Sequence, residues 1–503
     1  MKKINLTNFN LFHLIKIFIY ILSLPIFFLN FINYDNSKII YVFFSLVTII
    51  FVHYSIKEKT SIYGLFICIF TYLGFWFKFS INNLFENKFI FRTGYFDFLS
   101  KSVDDVLIVC TLAILCLFIP CIFQNKIEKL FYVKKLEFNN LKNFYFKNKI
   151  TIIFLIYTAL GIVFVTNLNY HIYQKGHVST SINQFVYYLY SWLLQFGFAS
   201  FFSFIIYFEI DNKNKSFFII LAMIESFLSS ISLLSRGLIF LHFYLFIAIS
   251  KIINIFNKKN YKIFITLSIV SIILSITSVW IVKDLREKRY CEKTYVGNEF
   301  CTSDNNKTIK EKGYQSLDQL INSPYNRLEQ NYGFIFEIIL NRFVGIDSVM
   351  AIYAKKNKSF NDYILSWKSR DLQIKGPSYF DKNYLNVYNN YQRNLENIYK
   401  LNPNLKYQFS PGFIAHSYMS GSLVFVCFIC FLLSLIMVFI EIYLKKIISN
   451  KIFLSLIFFL ISYRIIHFGY DPSNTYKFII AINLNILFFI LAEIFLKNYG
   501  KKK

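Results

Sequence analysis

Stretches of about 17–25 apolar residues recur along almost the whole chain, and coiled as a helix each is long enough to cross the hydrocarbon core of a bilayer. The runs are Leu11–Phe31, Ile39–Ile56, Ser61–Phe79, Val103–Phe123, Thr151–Asn169, Phe185–Ile210, Phe217–Leu234, Gly237–Ile253 and Ile263–Val282. After a polar interval come Gly421–Leu444, Ile452–His467 and Phe478–Leu496. This pattern predicts an all-α polytopic membrane protein with about 12 transmembrane helices and one large extracytoplasmic loop domain between helices 9 and 10. Residues 1–282 would carry spans one to nine, 283–411 the loop domain, and 412–503 spans ten to twelve with a basic tail. A hydrophobic content of 56% leaves no room for a soluble globule.

Charge orients the spans. The connections at Lys57/Lys59, Lys126 to Lys149, Lys213/Lys215, Lys258 to Lys262, Lys445 to Lys451 and Lys497 to Lys503 are short and lysine-rich. Such loops stay on the cytoplasmic side, which places both termini inside and residues 283–411 outside. The net charge of +26 then faces an anionic leaflet. No soluble basic domain exists to bind nucleic acid, and none is expected as a partner. Met1-Lys2-Lys3 precedes a long apolar run without a small-x-small cleavage site, and reads as an uncleaved first helix.

Arginine separates from lysine along the chain. Only nine arginines occur, Arg92, Arg236, Arg286, Arg289, Arg327, Arg342, Arg370, Arg393 and Arg464, and the span pattern puts them all at the outer face. A guanidinium is a flat five-donor fork that grips phosphate or carboxylate in two places, whereas an ammonium is a point charge. The outer face is therefore where anion recognition is expected. The loop adds many tyrosines and asparagines, the flat faces and amides suited to sugar rings and hydroxyls. Cys291 and Cys301 in this loop are ten positions apart; an oxidising compartment would allow a disulfide, but two cysteines carry no framework signature and the pairing stays open.

Two spans carry polar stripes. Glu225, Ser229, Ser232 and Arg236 recur at i, i+4, i+7 and i+11, one face of span seven. The stripe reads either as a wet track or as serine-mediated packing around a hydrogen-bonded carboxyl. Arg464, His467 and Asp471 at the outer end of span eleven form a second set, open to function or to simple anchoring. His416 stands where the loop returns to the membrane, the histidine best placed to take a proton there. Asp347, beside Gly345 and near Arg342, lies in the apolar loop segment Gly333–Tyr353, suited to lie on the bilayer surface or cap a cavity. His171 and His177 lack metal-ligand spacing, and no glycine-rich phosphate loop exists, so neither metal nor nucleotide cofactor is expected.

The span count, inside termini, single dominant outer loop and outer-face arginines resemble the O-antigen polymerases, the oligosaccharide repeat-unit polymerases of bacterial envelopes. Ser235-Arg236-Gly237 resembles the family's Ser-Arg-Gly at a span end, and Ser410-Pro411-Gly412 with Tyr418 and Gly421 its loop-exit segment. Arg286 and Gly297 match an Arg-x10-Gly element of some members. The resemblance implies a glycosyltransferase of the bacterial inner membrane, independent of metal and nucleotide. Its substrates would be polyprenyl-diphosphate-linked oligosaccharides, its partners membrane lipids, a chain-length regulator and a flippase. Arg236, Arg286, Arg342 and Arg464 would hold the leaving diphosphate with Glu225 and His467 nearby, and His416, or after it Asp347, would act as base. Two other readings share the topology: an O-antigen ligase, and a lipid-linked-oligosaccharide flippase or other transporter. The single large loop and the lack of repeat halves speak against the last.

Overall fold

The computed structural model describes residues 11–56, 61–85, 96–98, 101–129, 137–174, 183–210, 215–235, 261–294, 345–354, 358–361, 363–364, 412–448, 450–468 and 472–501. These residues form helices and their connections: α1 (Leu11–Asn33), α2 (Lys38–Ser55), α3 (Ile62–Leu84), α4 (Ser102–Glu128), α5 (Asn139–Lys147), α6 (Lys149–Tyr170) and α7 (Gln184–Glu209). Further along are α8 (Lys215–Ser232), α9 (Tyr261–Thr294), α10 (Ile346–Ala354), α11 (Gly412–Tyr418), α12 (Leu423–Ile447), α13 (Lys451–Phe468) and α14 (Pro472–Lys501). Among the described residues, seven helices are long and apolar enough to cross a membrane: α2, α3, α4, α6, α7, α12 and Ile479–Asn498 of α14. Shorter apolar stretches occupy Ile19–Asn33, Ser216–Ser232 and Thr266–Val282. Every predicted span falls on a helix except Gly237–Ile253, which lies outside the described residues.

Apolar side chains on both sides of these helices explain the architecture. Helix α13 is buried from Ile452 to Leu460 and packs against α3, α7 and α11, while α4 is sandwiched between α2 and α12. Phenylalanine fills the interior, as where Phe204 and Phe489 stack at 4.0 Å. The periphery stays apolar too: Ile39 is 82% exposed, Ile150 84% and Val424 79%. Such a surface is unstable in water and matches hydrocarbon, the mark of a multi-pass membrane protein.

Buried carboxylates gather the lysine-rich connections at one end of the bundle. Glu441 on α12 accepts from the Ile62 and Tyr63 amides at 2.7 and 2.9 Å, from Ser61 Oγ at 2.5 Å and from Gln124 at 2.9 Å. Lys445 pairs with it at 2.5 Å. A carboxylate at a helix N-terminus satisfies amides that have no partner within the helix and meets the positive end of its dipole. Glu493 on α14 does the same for α5, accepting from the amides of Asn140 at 3.1 Å and Leu141 at 2.8 Å. Glu209 on α7 holds Tyr145 at 2.8 Å and Lys149 at 2.6 Å. The ends of α4, α7, α12 and α14 are thereby fixed beside the starts of α3, α5 and α6.

Span seven ends earlier than its polar stripe requires. Helix α8 stops at Ser232, and the amides of Leu234 and Ser235 turn back to the carbonyls of Ile231 and Ser230, both at 2.9 Å. This is the Schellman closure, with Leu234 in the left-handed region at φ 50° where glycine is usual. Leucine is kept there by burial, packed with Ile231 and Val282. The described helix therefore ends after Glu225, Ser229 and Ser232 and before the i+11 member of the stripe. Arg236 itself lies outside the described residues.

Candidate functional site

The opposite end of the bundle carries two polar clusters, each beside a π-helical turn. One extra residue per turn breaks the regular hydrogen-bond ladder and re-aims side chains, and such turns often sit at functional positions.

The first turn, Tyr72–Phe77, lies inside α3 and leads directly to Lys78. Lys78 is 1% exposed and pairs with Asp347 Oδ2 at 2.9 Å. The Gly345 amide donates to Asp347 Oδ1 at 3.1 Å, which starts α10. Gly345 touches the bulged turn so closely that a Cβ would come 1.9 Å from the Gly74 carbonyl oxygen. Segment 345–354 is thus wedged into the bundle. Its residues Gly345 to Ile352 are buried, which leaves out the bilayer-surface placement, one of the two its apolarity suggested, and Asp347 is committed to a lysine. On α10, Tyr353 donates to Asp105 of α4 at 2.5 Å and stacks on Tyr418 of α11, while Lys358 donates to the Tyr353 carbonyl at 2.7 Å.

Helix α11 is bracketed by Gly412 and Gly421, both left-handed at φ 74° and 75°, where a side chain would be strained. These are the glycines of the loop-exit segment. His416 on α11 is buried with Tyr363 at 5.2 Å, and α11 packs on α10, α12 and α13. Burial lowers the His416 pKa from 6.5 to about 4. The unfolded chain therefore binds a proton between those values that the folded chain refuses, so stability is full above pH 6.5 and falls as the pH drops toward 4. Thermal unfolding across that window should show a slope that His416→Gln flattens.

The second π turn, Leu193–Gly197, interrupts α7 at Gln195. Gln195 Nε2 donates to the Tyr173 hydroxyl at 2.6 Å and to Ser191 Oγ at 2.8 Å. Tyr173 is held by buried Asn167 of α6, which accepts from its amide at 2.7 Å and donates to its carbonyl at 3.0 Å. The same Asn167 amide donates to the Ser232 carbonyl at 2.8 Å and Ser232 Oγ at 2.9 Å, tying in α8. Burial raises the Tyr173 pKa, with Ser191, Arg464 and Gln195 acting against it, and the phenol stays protonated near neutral pH. Arg464 of α13 thus lies within electrostatic reach of this cluster.

The sequence-derived candidates divide accordingly. Arg464 lies within electrostatic reach of the Tyr173 cluster, which Ser232 of the α8 stripe also meets through Asn167. Within the stripe, Glu225 is buried and accepts from Ser229 Oγ at 2.7 Å, so the carboxyl is hydrogen-bonded along its own helix. Asp347 and His416 occupy the adjoining α10 and α11. Arg286 and His467 fall on the backbones of α9 and α13, their side chains outside the described set, and Arg342 lies wholly outside it. Lys78, Asn167, Tyr173 and Gln195 were missed. Lys78 alone left a visible signal, a charge within the apolar Phe75-Trp76-Phe77-Lys78-Phe79. Among the described residues no group of histidine, cysteine and acidic side chains is arranged to hold a metal.

Fold and site define a multi-pass helical membrane protein with charged and hydrogen-bonding groups buried toward one end. No family model, curated protein or solved structure matches the chain.

Proposed function

We propose that this protein is a polymerase of the O-antigen polymerase type, with about 12 spans and residues 283–411 at the outer face of a bacterial inner membrane. It joins polyprenyl-diphosphate-linked oligosaccharide repeat units by glycosyl transfer. The observation that supports this most is the packing of α11, which bears His416, directly on α13, which bears Arg464, at the end of the bundle away from the lysine-rich connections. A proton acceptor and an anion-binding fork are thus carried by adjacent helices.

In the reaction, a hydroxyl oxygen of the acceptor sugar attacks the anomeric carbon of the donor. The anomeric C–O bond to the diphosphate breaks, and polyprenyl diphosphate leaves with the bonding pair. Arg464, with Arg236, Arg286 and Arg342, meets the charge that grows on the leaving group. The hydroxyl proton passes to His416. A buried imidazole is a weak base alone, but a bound diphosphate nearby favours its protonated form and raises its basicity. Asp347 has its carboxylate engaged by Lys78 and takes a positioning part, holding α10 beneath α11.

His416→Ala tests the assignment. Cells carrying it should accumulate lipid-linked single units and make no longer chains, and His416→Gln should not restore growth. Chains of normal length with His416→Ala at normal protein levels would remove the base.

A further inference from the structure

Two asparagines stand two positions apart on α14 and therefore face opposite ways. Asn485 is buried, and its amide donates to Ser200 Oγ of α7. Asn483 is exposed, and no described residue gives its side chain a hydrogen bond. Depth decides what that exposure means. Phe489 packs on Phe453 at the lysine-rich start of α13 and stacks on Phe204 near the end of α7. Asn483 lies six positions back along α14 from Phe489, a rise of about 9 Å. That puts it level with the middle of α13 and within the apolar span Ile479–Asn498.

Hydrocarbon offers an amide neither donor nor acceptor, and water and headgroups lie beyond the ends of the span. Polar side chains so placed join membrane helices by hydrogen bonds across their interface. An amide is its own complement, because it carries two N–H donors and a carbonyl acceptor. Two copies related by a two-fold axis along the membrane normal bring the same residue to the same depth, so each satisfies the other. The surroundings fit such a pairing. Ile480, Asn483, Leu487 and Ile494 recur at i, i+3, i+7 and i+14 along one exposed side of α14. That is the spacing by which two parallel helices run together as a left-handed pair. We propose that this face of α14 is an interface with a second copy of this chain, closed by hydrogen bonds between the two Asn483 amides. The pairing does not depend on the reaction the protein performs.

Full-length protein carrying a donor or an acceptor fluorophore beyond Lys503, reconstituted together in phosphatidylcholine vesicles and diluted with lipid, reads the pairing by energy transfer. The parent protein should dimerise, and Asn483→Leu should need about tenfold more protein per lipid to do so. Asn483→Gln keeps the amide and should pair nearly as well as the parent. Leucine on a lipid-facing side leaves the bundle intact, so the melting temperature of Asn483→Leu in detergent should not fall. Under mild oxidation Leu487→Cys should form an intermolecular disulfide above the background of the parent's own cysteines, whereas Phe154→Cys on the exposed side of α6 should not. Energy transfer that is absent in the parent at every protein density, or unchanged by Asn483→Leu, would overturn the interface. So would Asn483→Gln pairing no better than the leucine variant. Leu487→Cys that links only to a different protein in cells would give this face another partner and overturn the second copy.

Discussion

Lys78→Met should destabilise the protein by about 3–5 kcal/mol, because it strands the Asp347 carboxylate inside the bundle without its counter-charge. Asp347→Leu should be comparably harmful, leaving a buried ammonium. The double variant Lys78→Met/Asp347→Leu should recover most of the loss, since two apolar groups of similar size need no ionic partner. Melting temperature in detergent and the level of inserted protein both report this. A double variant no more stable than either single one would show that the pair is not the contact seating α10. Recovery of stability without recovery of polymer would separate the fold of α10 from its positioning part.

The second large effect concerns the anion fork. Arg464→Lys preserves the charge on α13 but not the planar two-point grip, and chain growth should fall by about 100-fold at unchanged protein level. Lysine at Arg370 or Arg393, both in the polar loop, should change chain length little. Gel separation of the cellular polysaccharide shows the difference as a single-unit band against a full ladder. Wild-type ladders from all four lysine replacements, Arg236→Lys included, would reduce the clustering of arginines to drift in codon usage.

Much of the fold could be read from the chain because bilayer thickness imposes a length on every span. Ile39–Ile56 was expected and α2 runs Lys38–Ser55; Thr151–Asn169 was expected and α6 runs Lys149–Tyr170. The lysine-rich connections were visible in the sequence as a charge pattern, from which an inner side is expected. The buried acids that fasten those loops were not, because Glu441 meets Ser61 and Glu493 meets Asn140 across long sequence separations. Helical periodicity carried the α8 stripe through Ser232; left-handed Leu234 ends the helix there, and Arg236 lies outside the described residues. The pairing of Lys78 with Asp347 was invisible for a related reason: it depends on a π turn and on two glycines in contact, neither of which has a periodic signature. Asn167 and Gln195 sit within apolar runs as ordinary amides, and the returning loop at Tyr173 gives both a shared partner with no signal in either run.

Central to the account is that this chain itself lengthens lipid-linked glycans. Lipid-linked repeat units extracted from cells lacking the protein, mixed with the purified full chain in lipid nanodiscs, test that directly. Longer glycans should appear without added nucleotide or metal, with one polyprenyl diphosphate released for each bond formed, and His416→Ala and Arg464→Lys should abolish both signals. Unextended units after incubation with folded wild-type protein, together with a normal polymer ladder in the cells that lack it, would contradict the proposal.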